Sequence, residues 1–214
     1  MLFKAILATA ITATSAVAAP LEARQVTATV TVTATECPGS VTAPTTLPSD
    51  PASSSYFSPS DTWQYSVHNG AIAAAPSLVE IYKSTGNGGK DQSALVTFTY
   101  PAAARNGQCQ LEFHLPANAS PAGSKKIDVY SSIKPATGPA SSWPPGNQRN
   151  NHIGRLSVVP GGAATWDFSQ KPSLAFKTPC KAPGTVEAFE FVGVGEFDSI
   201  NWNPSSGYGP RIVY

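Results

Sequence analysis

The sequence predicts an all-β protein, built as a single antiparallel sandwich or barrel-like domain that follows a Ser/Thr/Pro-rich stalk. Short runs of bulky residues alternate at the period of a β-strand in the C-terminal part of the chain. Gly and Pro separate nearly all of these runs, and no stretch carries a sustained helical stripe. The domain predicted over residues 61–214 has a size that suits one hydrophobic core.

The first 19 residues have the three zones of a signal peptide. Lys4 supplies a positive charge near the start, residues 5–17 are largely apolar, and residues 16–19 form a small-residue cleavage region. The apolar run is shorter than the roughly 20 residues that span a bilayer, which argues against a membrane anchor. We therefore expect a secreted protein, located outside the cell or in the cell wall.

Residues 20–60 have the composition of a stalk. Residues 20–24 suit either a short pro-segment cut after Arg24 or a plain linker. The Thr/Val alternation of residues 26–33 would also suit a strand. The Thr, Ser and five Pro residues that follow are typical of an O-glycosylated stalk, which has too little bulky apolar surface to fold.

Seven strands are predicted in the domain, and one of them has a clear buried face. They cover residues 95–100, 109–115, 127–130, 155–159, 164–168, 186–192 and 200–202. In the second of them, Cys109, Leu111, Phe113 and Leu115 share one face, and the polar residues between them share the other. Residues 134–151 form a long Pro-rich loop, and long ordered loops often carry function.

The three cysteines predict one disulfide within the domain. Cys109 begins a predicted strand and Cys180 lies in a predicted turn, whereas Cys37 lies in the stalk. An exported chain meets an oxidising compartment, so we expect a bridge between Cys109 and Cys180. Cys37 is then either free or available to cross-link to another chain.

The charge of the chain and its lack of site motifs narrow the range of functions. Charged residues make up 13% of the chain and the net charge is +1, which argues against nucleic acid or an anionic membrane surface as a partner. The three histidines are far apart, and none has a His or Cys at metal-ligand spacing, so we expect no metal and no cofactor. The Ser-hydrolase motif Gly-x-Ser-x-Gly and the metalloprotease motif His-Glu-x-x-His are absent from the sequence.

No carboxylate pair stands out as the acid and base of a glycosidase. Glu187 would line a cleft or lie at a strand end, and Glu196 and Asp198 have ordinary turn surroundings. The candidate acids are Glu112, Asp128, Asp167, Glu187, Glu190, Glu196 and Asp198. No catalytic residue is assigned, and enzymatic activity stays open at this point.

The tryptophans suggest a surface that binds sugars. Trp63, Trp143, Trp166 and Trp202 could each stack on a sugar ring, and Trp143 lies in the stiff Pro-rich loop. We expect Trp143 to fold back as a lid on the core; the alternative is that Trp143, with Asn147 and Arg149 of the same loop, forms a ligand platform. Asn118, followed by Ala119 and Ser120, is the N-glycosylation acceptor pattern of the chain.

Several segments together resemble the But2 C-terminal domain that occurs in many secreted fungal proteins. They are residues 98–101, 109–116, 142–150, 154–162, 180–184, 191–195 and 200–210, so that the resemblance covers about residues 94–214. It implies a β-rich secreted or cell-wall protein, with no catalytic residues to carry over. The family takes its name from binding a ubiquitin-like modifier inside the cell, a role that the signal peptide argues against here.

The predicted function is therefore a non-catalytic, secreted fungal cell-surface or cell-wall protein that acts at the host interface or in the wall itself. The alternative is a carbohydrate-binding module, or a carbohydrate-active enzyme, that uses the Trp143 loop. The expected partners are a cell-wall polysaccharide or a host protein.

Overall fold

The computed structural model describes residues 55–143 and 149–214, which are almost entirely strands and turns. The strands are β1 (Tyr56–Phe57), β2 (Asp61–Ser66), β3 (Ala71–Ala74), β4 (Val79–Ser84), β5 (Gln92–Thr99), β6 (Gln108–His114), β7 (Ala122–Gly123), β8 (Lys126–Ser132), β9 (Arg149–Ser157), β10 (Thr165–Trp166), β11 (Thr178–Pro179), β12 (Val186–Gly193), β13 (Phe197–Trp202) and β14 (Gly209–Val213). Short 3-10 turns occupy Ala102–Ala104, Phe168–Gln170 and Pro204–Ser206. Within these residues, no helix is long and apolar enough to cross a membrane.

The strands form two antiparallel sheets. The small sheet has the order β1-β14-β6-β11, and the large sheet has the order β10-β9-β8-β12-β5-β4-β13-β7. Strand β2 also pairs with β5 and carries β3 on its other edge. The predicted all-β, antiparallel, sandwich-like fold is confirmed.

The main hydrophobic core contains side chains from both sheets. The small sheet contributes Leu111 and Phe113, and the large sheet contributes Phe98 and Phe191. The rings of Phe113 and Trp202 meet edge to face, with centroids 5.1 Å apart. The predicted inward face of β6 is confirmed, because Cys109, Leu111, Phe113 and Leu115 are all buried.

Strand β5 is buried on both of its faces. Val96 and Phe98 point into the main core, whereas Leu95 belongs to a second, smaller core on the opposite side of the large sheet. The second core consists of Tyr65, Ile72, Leu95 and Ala136, with Trp63, Val67 and Ala140 packed against it. We call this opposite side of the large sheet the outer face.

The fold begins earlier than the boundary predicted at residue 61. Tyr56 and Phe57 form β1, which pairs with the C-terminal strand β14. The ring of Phe57 packs edge to face against Phe98 and Tyr100, so these residues belong to the domain and not to a stalk. The Ser- and Pro-rich surroundings of this aromatic pair hid it in the sequence. Residues 1–54, including the predicted signal peptide and Cys37, lie outside the described residues.

Asp198 holds the turns at one end of the large sheet. Its side chain is fully buried and accepts hydrogen bonds from the Ser124 hydroxyl at 2.8 Å and the Lys125 amide at 2.9 Å. The amides of Val194 and Gly195 donate to the same carboxylate at 2.9 and 2.7 Å. A buried carboxylate is stable when donors surround it in this way. The sequence pattern had suggested only an ordinary turn residue at this position.

The predicted disulfide between Cys109 and Cys180 is present, with a Cα–Cα distance of 4.8 Å. Strand β11, which immediately precedes Cys180, pairs with β6 so that Thr178 lies opposite Cys109. The amide of Cys180 donates to the carbonyl of Gly107 at 3.0 Å. The bridge therefore joins two segments that the backbone already holds together.

Replacing Cys109 or Cys180 with Ser should destabilise the domain strongly. The bridge closes a sequence separation of 71 residues, for which the chain-entropy model gives about 4 kcal/mol. We expect a decrease in the thermal midpoint of about 10 °C for a domain of this size, measured by circular dichroism. Cys37→Ser is the matched control and should change the midpoint little. Equal losses from all three substitutions would contradict this assignment.

Candidate functional site

The outer face of the large sheet carries a row of side chains that crosses five strands. The strand registers place Trp63 opposite Leu95, Leu95 opposite Glu190, Glu190 opposite Tyr130, and Tyr130 opposite His152. Side chains that lie directly opposite each other in neighbouring strands share one face of a sheet. The row therefore runs from an aromatic residue on β2, through an apolar centre, to a polar region on β8 and β9.

The loop after β8 covers the centre of this face. Ile72 and Ala140 exchange two backbone hydrogen bonds, at 2.8 and 2.9 Å, which attach the loop to β3. Ala136 of the loop is buried in the second core beside Leu95. The long loop that the sequence predicted as functional thus serves first as the cover of a hydrophobic patch.

Glu190, directly opposite Leu95 in the sheet, has only 1% of its side chain exposed. The Ser93 hydroxyl donates to it at 2.7 Å, and the Arg149 guanidinium donates to both of its oxygens at 2.9 and 2.6 Å. Arg149 also lies over the Tyr130 ring, 4.7 Å from its centroid. Hydrogen bonding to Glu190 raises the pKa of Arg149 above its ordinary value. Arg149, predicted as a ligand contact, is therefore bound to a buried carboxylate of the fold.

Trp143 lies at the described end of the loop and rests on Gly70. A Cβ atom at Gly70 would lie 2.4 Å from Cγ of Trp143, so only glycine leaves room for the ring. Gly70 also has a positive φ of 73°, which glycine adopts without strain. The Trp143 side chain stays 65% exposed. Asn147, the remaining residue of the predicted platform, lies outside the described residues, as do all of residues 144–148.

Asp61 and Trp63 lie beside two clefts. The clefts have volumes of about 310 and 340 Å³, and both residues line both of them. Trp63 was predicted only as one of four tryptophans that could stack on a sugar, and Asp61 was not predicted. The alternation of Asp61, Trp63 and Tyr65 along one strand was the signal that could have revealed this face.

A second polar network lies at the β8–β9 end of the face. Asp128 accepts two hydrogen bonds from Arg155, at 2.7 and 3.0 Å, and forms an ion pair with His152 at 3.2 Å. Burial raises the pKa of Asp128, but the hydrogen bonds and charge of Arg155, with a smaller effect from His152, lower it overall. The network fastens the two strands to each other.

A third polar cluster lies on the exposed side of the small sheet. Glu112 pairs with His114 at 2.8 Å and lies 3.7 Å from the Arg211 guanidinium, which is also bonded to His114. Arg211 lies 4.6 Å from the centroid of the Tyr56 ring. The hydrogen bond from His114 and the neighbouring positive charges hold the pKa of Glu112 below its ordinary value.

The Glu187 carboxylate lies beside the disulfide. It accepts a hydrogen bond from the Tyr100 hydroxyl at 2.6 Å and pairs with Lys181. Burial and this hydrogen bond raise the pKa of the Tyr100 hydroxyl well above its usual range. A cavity of about 20 Å³, lined by Tyr100, Cys109 and Glu187 among others, has room for a water molecule but not for a substrate.

The carboxylates in these networks bind other groups of the protein. The buried Glu190 and Asp198 each receive hydrogen bonds from several groups of the fold. Among the described residues, no group of three His, Cys, Asp or Glu side chains could hold a metal ion. The exposed Asn118, the predicted glycosylation acceptor, lies in a turn between β6 and β7, where it is open to modification.

The model of the ubiquitin 3 binding protein But2 C-terminal domain matches residues 73–206 of the chain. The chain belongs to the But2 C-terminal domain family. The match begins in β3, earlier than the resemblance expected from about residue 94, and it ends in the turn before β14. The family is named for a protein that binds another protein. No curated protein matches the sequence.

Strands β1, β2 and β14 of this But2 domain lie outside the matched residues. Strands β1 and β14 pair with each other at the edge of the small sheet, and β2 pairs with β5 in the large sheet. Asp61 and Trp63 therefore belong to a part of the sandwich that the family model does not describe.

Removing the charge of Arg149 should destabilise the domain markedly. Arg149→Met leaves the buried Glu190 carboxylate without its cation, which typically costs about 3 kcal/mol. Chemical unfolding should show this loss, and the double variant Arg149→Met with Glu190→Gln should recover part of it. Lys181→Met is the matched control, because Lys181 is half exposed and its pair with Glu187 should contribute less than about 1 kcal/mol. Equal effects of the two single substitutions would contradict the role given to Glu190.

Glu112 and Asp128 should make the domain sensitive to acid. Their pKa values in the folded state lie below the ordinary values of 4.5 and 3.8, so their stabilising contributions are complete above those values. The contributions are lost as the pH falls through the lowered pKa values. The difference in thermal midpoint between the wild type and Glu112→Gln should therefore be largest above pH 4.5 and shrink below it. A difference that grows in acid would contradict the assignment.

Proposed function

We propose that the protein is exported and works as a non-catalytic binding domain at the cell surface or in the cell wall. The observation that carries the proposal is the Cys109–Cys180 disulfide, in a chain whose first 19 residues have the zones of a signal peptide. Disulfides persist in oxidising compartments, and secretion delivers a chain to them. The Ser/Thr/Pro-rich composition of residues 20–54 supports a glycosylated stalk that presents the domain.

The surroundings of the buried carboxylates support a non-catalytic role. A glycosidase needs one carboxylic acid that can donate a proton and a second carboxylate that faces the substrate. Glu190 is held by Arg149 and Ser93, and Asp198 is held by a hydroxyl and backbone amides. These hydrogen bonds fix each carboxylate in place and occupy its oxygens, which suits a structural role better than contact with a substrate.

A protein partner is consistent with the family, which is named for protein binding. For an exported chain, this partner would be a host protein or another wall protein, and Cys37 would offer a cross-link to such a chain. A ubiquitin-like modifier is an intracellular protein that an exported chain does not meet.

The alternative function is carbohydrate binding through the Trp143 loop. It is favoured by the ring of Trp143, which lies on Gly70 with 65% of its side chain exposed. One face of an aromatic ring fixed in this way is a suitable platform for a sugar.

Export can be tested directly by expressing the full chain in a secreting host. The protein in the medium should begin near Ala19, or at Gln25 if a protease removes the short pro-segment. Mass spectrometry without reduction should show the Cys109–Cys180 bridge. A variant lacking residues 2–18 should stay in the cell with both thiols reduced. A membrane-bound product that keeps Met1 would refute the proposal.

A further inference from the structure

We propose that Asp61 and Trp63 form a binding site for an uncharged polysaccharide, with two sugar-binding clefts that both residues line. This site is separate from the Trp143 platform. It rests on the proposed role at the cell surface, for which it names a class of ligand.

The surface beside Asp61 and Trp63 has the shape of a ligand-binding site. Pro76 and Pro204 line the cleft of about 310 Å³, and Thr137 and Val186 line the cleft of about 340 Å³. Both volumes lie at the small end of the range of ligand pockets in proteins, which suits one or two sugar units in each. A repeating chain that crosses Trp63 would occupy both clefts with successive units.

The charge of the two clefts favours a neutral ligand. Asp61 is exposed, and it is the charged residue that the two clefts share. Among the described residues, no Lys, Arg or His lines either cleft, so nothing there would compensate a phosphate, sulfate or uronate. A carboxylate that accepts hydrogen bonds from ligand hydroxyls fits a neutral polyhydroxylated ligand.

The lining of the clefts combines apolar and hydroxyl groups. Trp63 supplies an aromatic surface, and Thr99 and Thr137 supply exposed hydroxyl groups on the larger cleft. Sugar rings present apolar faces of C–H groups and rims of hydroxyls, which match these two kinds of contact. A peptide strand would instead need a row of open backbone groups, and β2 already pairs with strands on both sides.

The indole N–H of Trp63 is a buried donor without an acceptor among the described residues. The indole N–H of Trp166, by comparison, donates to the carbonyl of Leu111. Buried donors without acceptors are rare in folded proteins. This unpaired donor belongs to a residue that lines both clefts, where a ligand oxygen would be its acceptor.

The test is calorimetric titration of the purified, disulfide-bonded protein with soluble neutral oligosaccharides. The probes are oligomers of β-1,3-linked glucose, β-1,4-linked glucose and β-1,4-linked N-acetylglucosamine, together with anionic polygalacturonate and a proline-rich peptide. At least one neutral oligomer should bind. Asp61→Asn should weaken it by about tenfold, as expected for the loss of a charged hydrogen-bond acceptor.

Two further variants locate the site without touching the core. Thr137→Tyr fills one cleft from an exposed position, and Ala74→Tyr fills the other, so each should weaken binding of a long oligomer. Glu196→Gln is the matched control for Asp61→Asn and should leave affinity unchanged. Trp143→Ala is measured alongside because it reports on the Trp143 platform. Thermal midpoints measured alongside show that each variant is folded.

Four results would overturn the proposal. They are no binding of any neutral oligomer, full affinity in both Asp61→Asn and Thr137→Tyr, loss of affinity in Trp143→Ala alone, and preferential binding of polygalacturonate or of the peptide. The third result would support the Trp143 platform, and binding of the peptide would indicate a protein interface. Because the titration uses purified protein, its result is independent of export, and failure of either proposal can be recognised separately.

Discussion

The burial of β5 on both faces is the constraint on which the rest of the structure depends. A strand in a β-sandwich normally faces the core on one side and solvent on the other. In β5, Val96 and Phe98 face the main core, while Leu95 lies on the opposite side and would be exposed in an uncovered sheet. The second core exists because Leu95 has to be covered, and the β2–β3 hairpin and the loop after β8 provide that cover.

This cover determines where polar groups can lie on the outer face. Glu190 is directly opposite Leu95 in the sheet, and both residues are buried. An unpaired carboxylate in this position would be costly, and Arg149 and Ser93 supply the compensating hydrogen bonds. Because Arg149 is the first residue of β9, the same ion pair fixes the point at which the loop returns to the sheet. The clefts beside Trp63 lie where this cover ends, with Ala136 of the loop in the wall of one of them.

The features that could be predicted from the sequence are those that a local pattern determines. The alternation of Cys109, Leu111, Phe113 and Leu115 fixed the buried face of β6, and the position of Cys180 in the same domain was enough to predict the bridge. The two-residue strand β1 carries too few residues for any period to be visible. Asp198 and Arg149 have local surroundings typical of a turn and a loop, and their roles arise only when distant strands place donors or a buried acceptor beside them. The site at Trp63 was missed for the same reason, because its walls come from segments more than 100 residues apart.

The residues that match the family model, which we call the framework, overlap only in part with the candidate site. Residues 73–206 include β5, β6, β8, β9 and β12, which hold the main core, the disulfide and the Glu190–Arg149 pair. Asp61 and Trp63 lie on β2, which precedes these residues and reaches the framework by pairing with β5. Thr137 and Val186 of the framework complete one cleft, and Pro204 completes the other. Because Asp61 and Trp63 lie on the face of β2 that points away from the main core, substitutions at these two positions can change the ligand surface while the main core stays as it is.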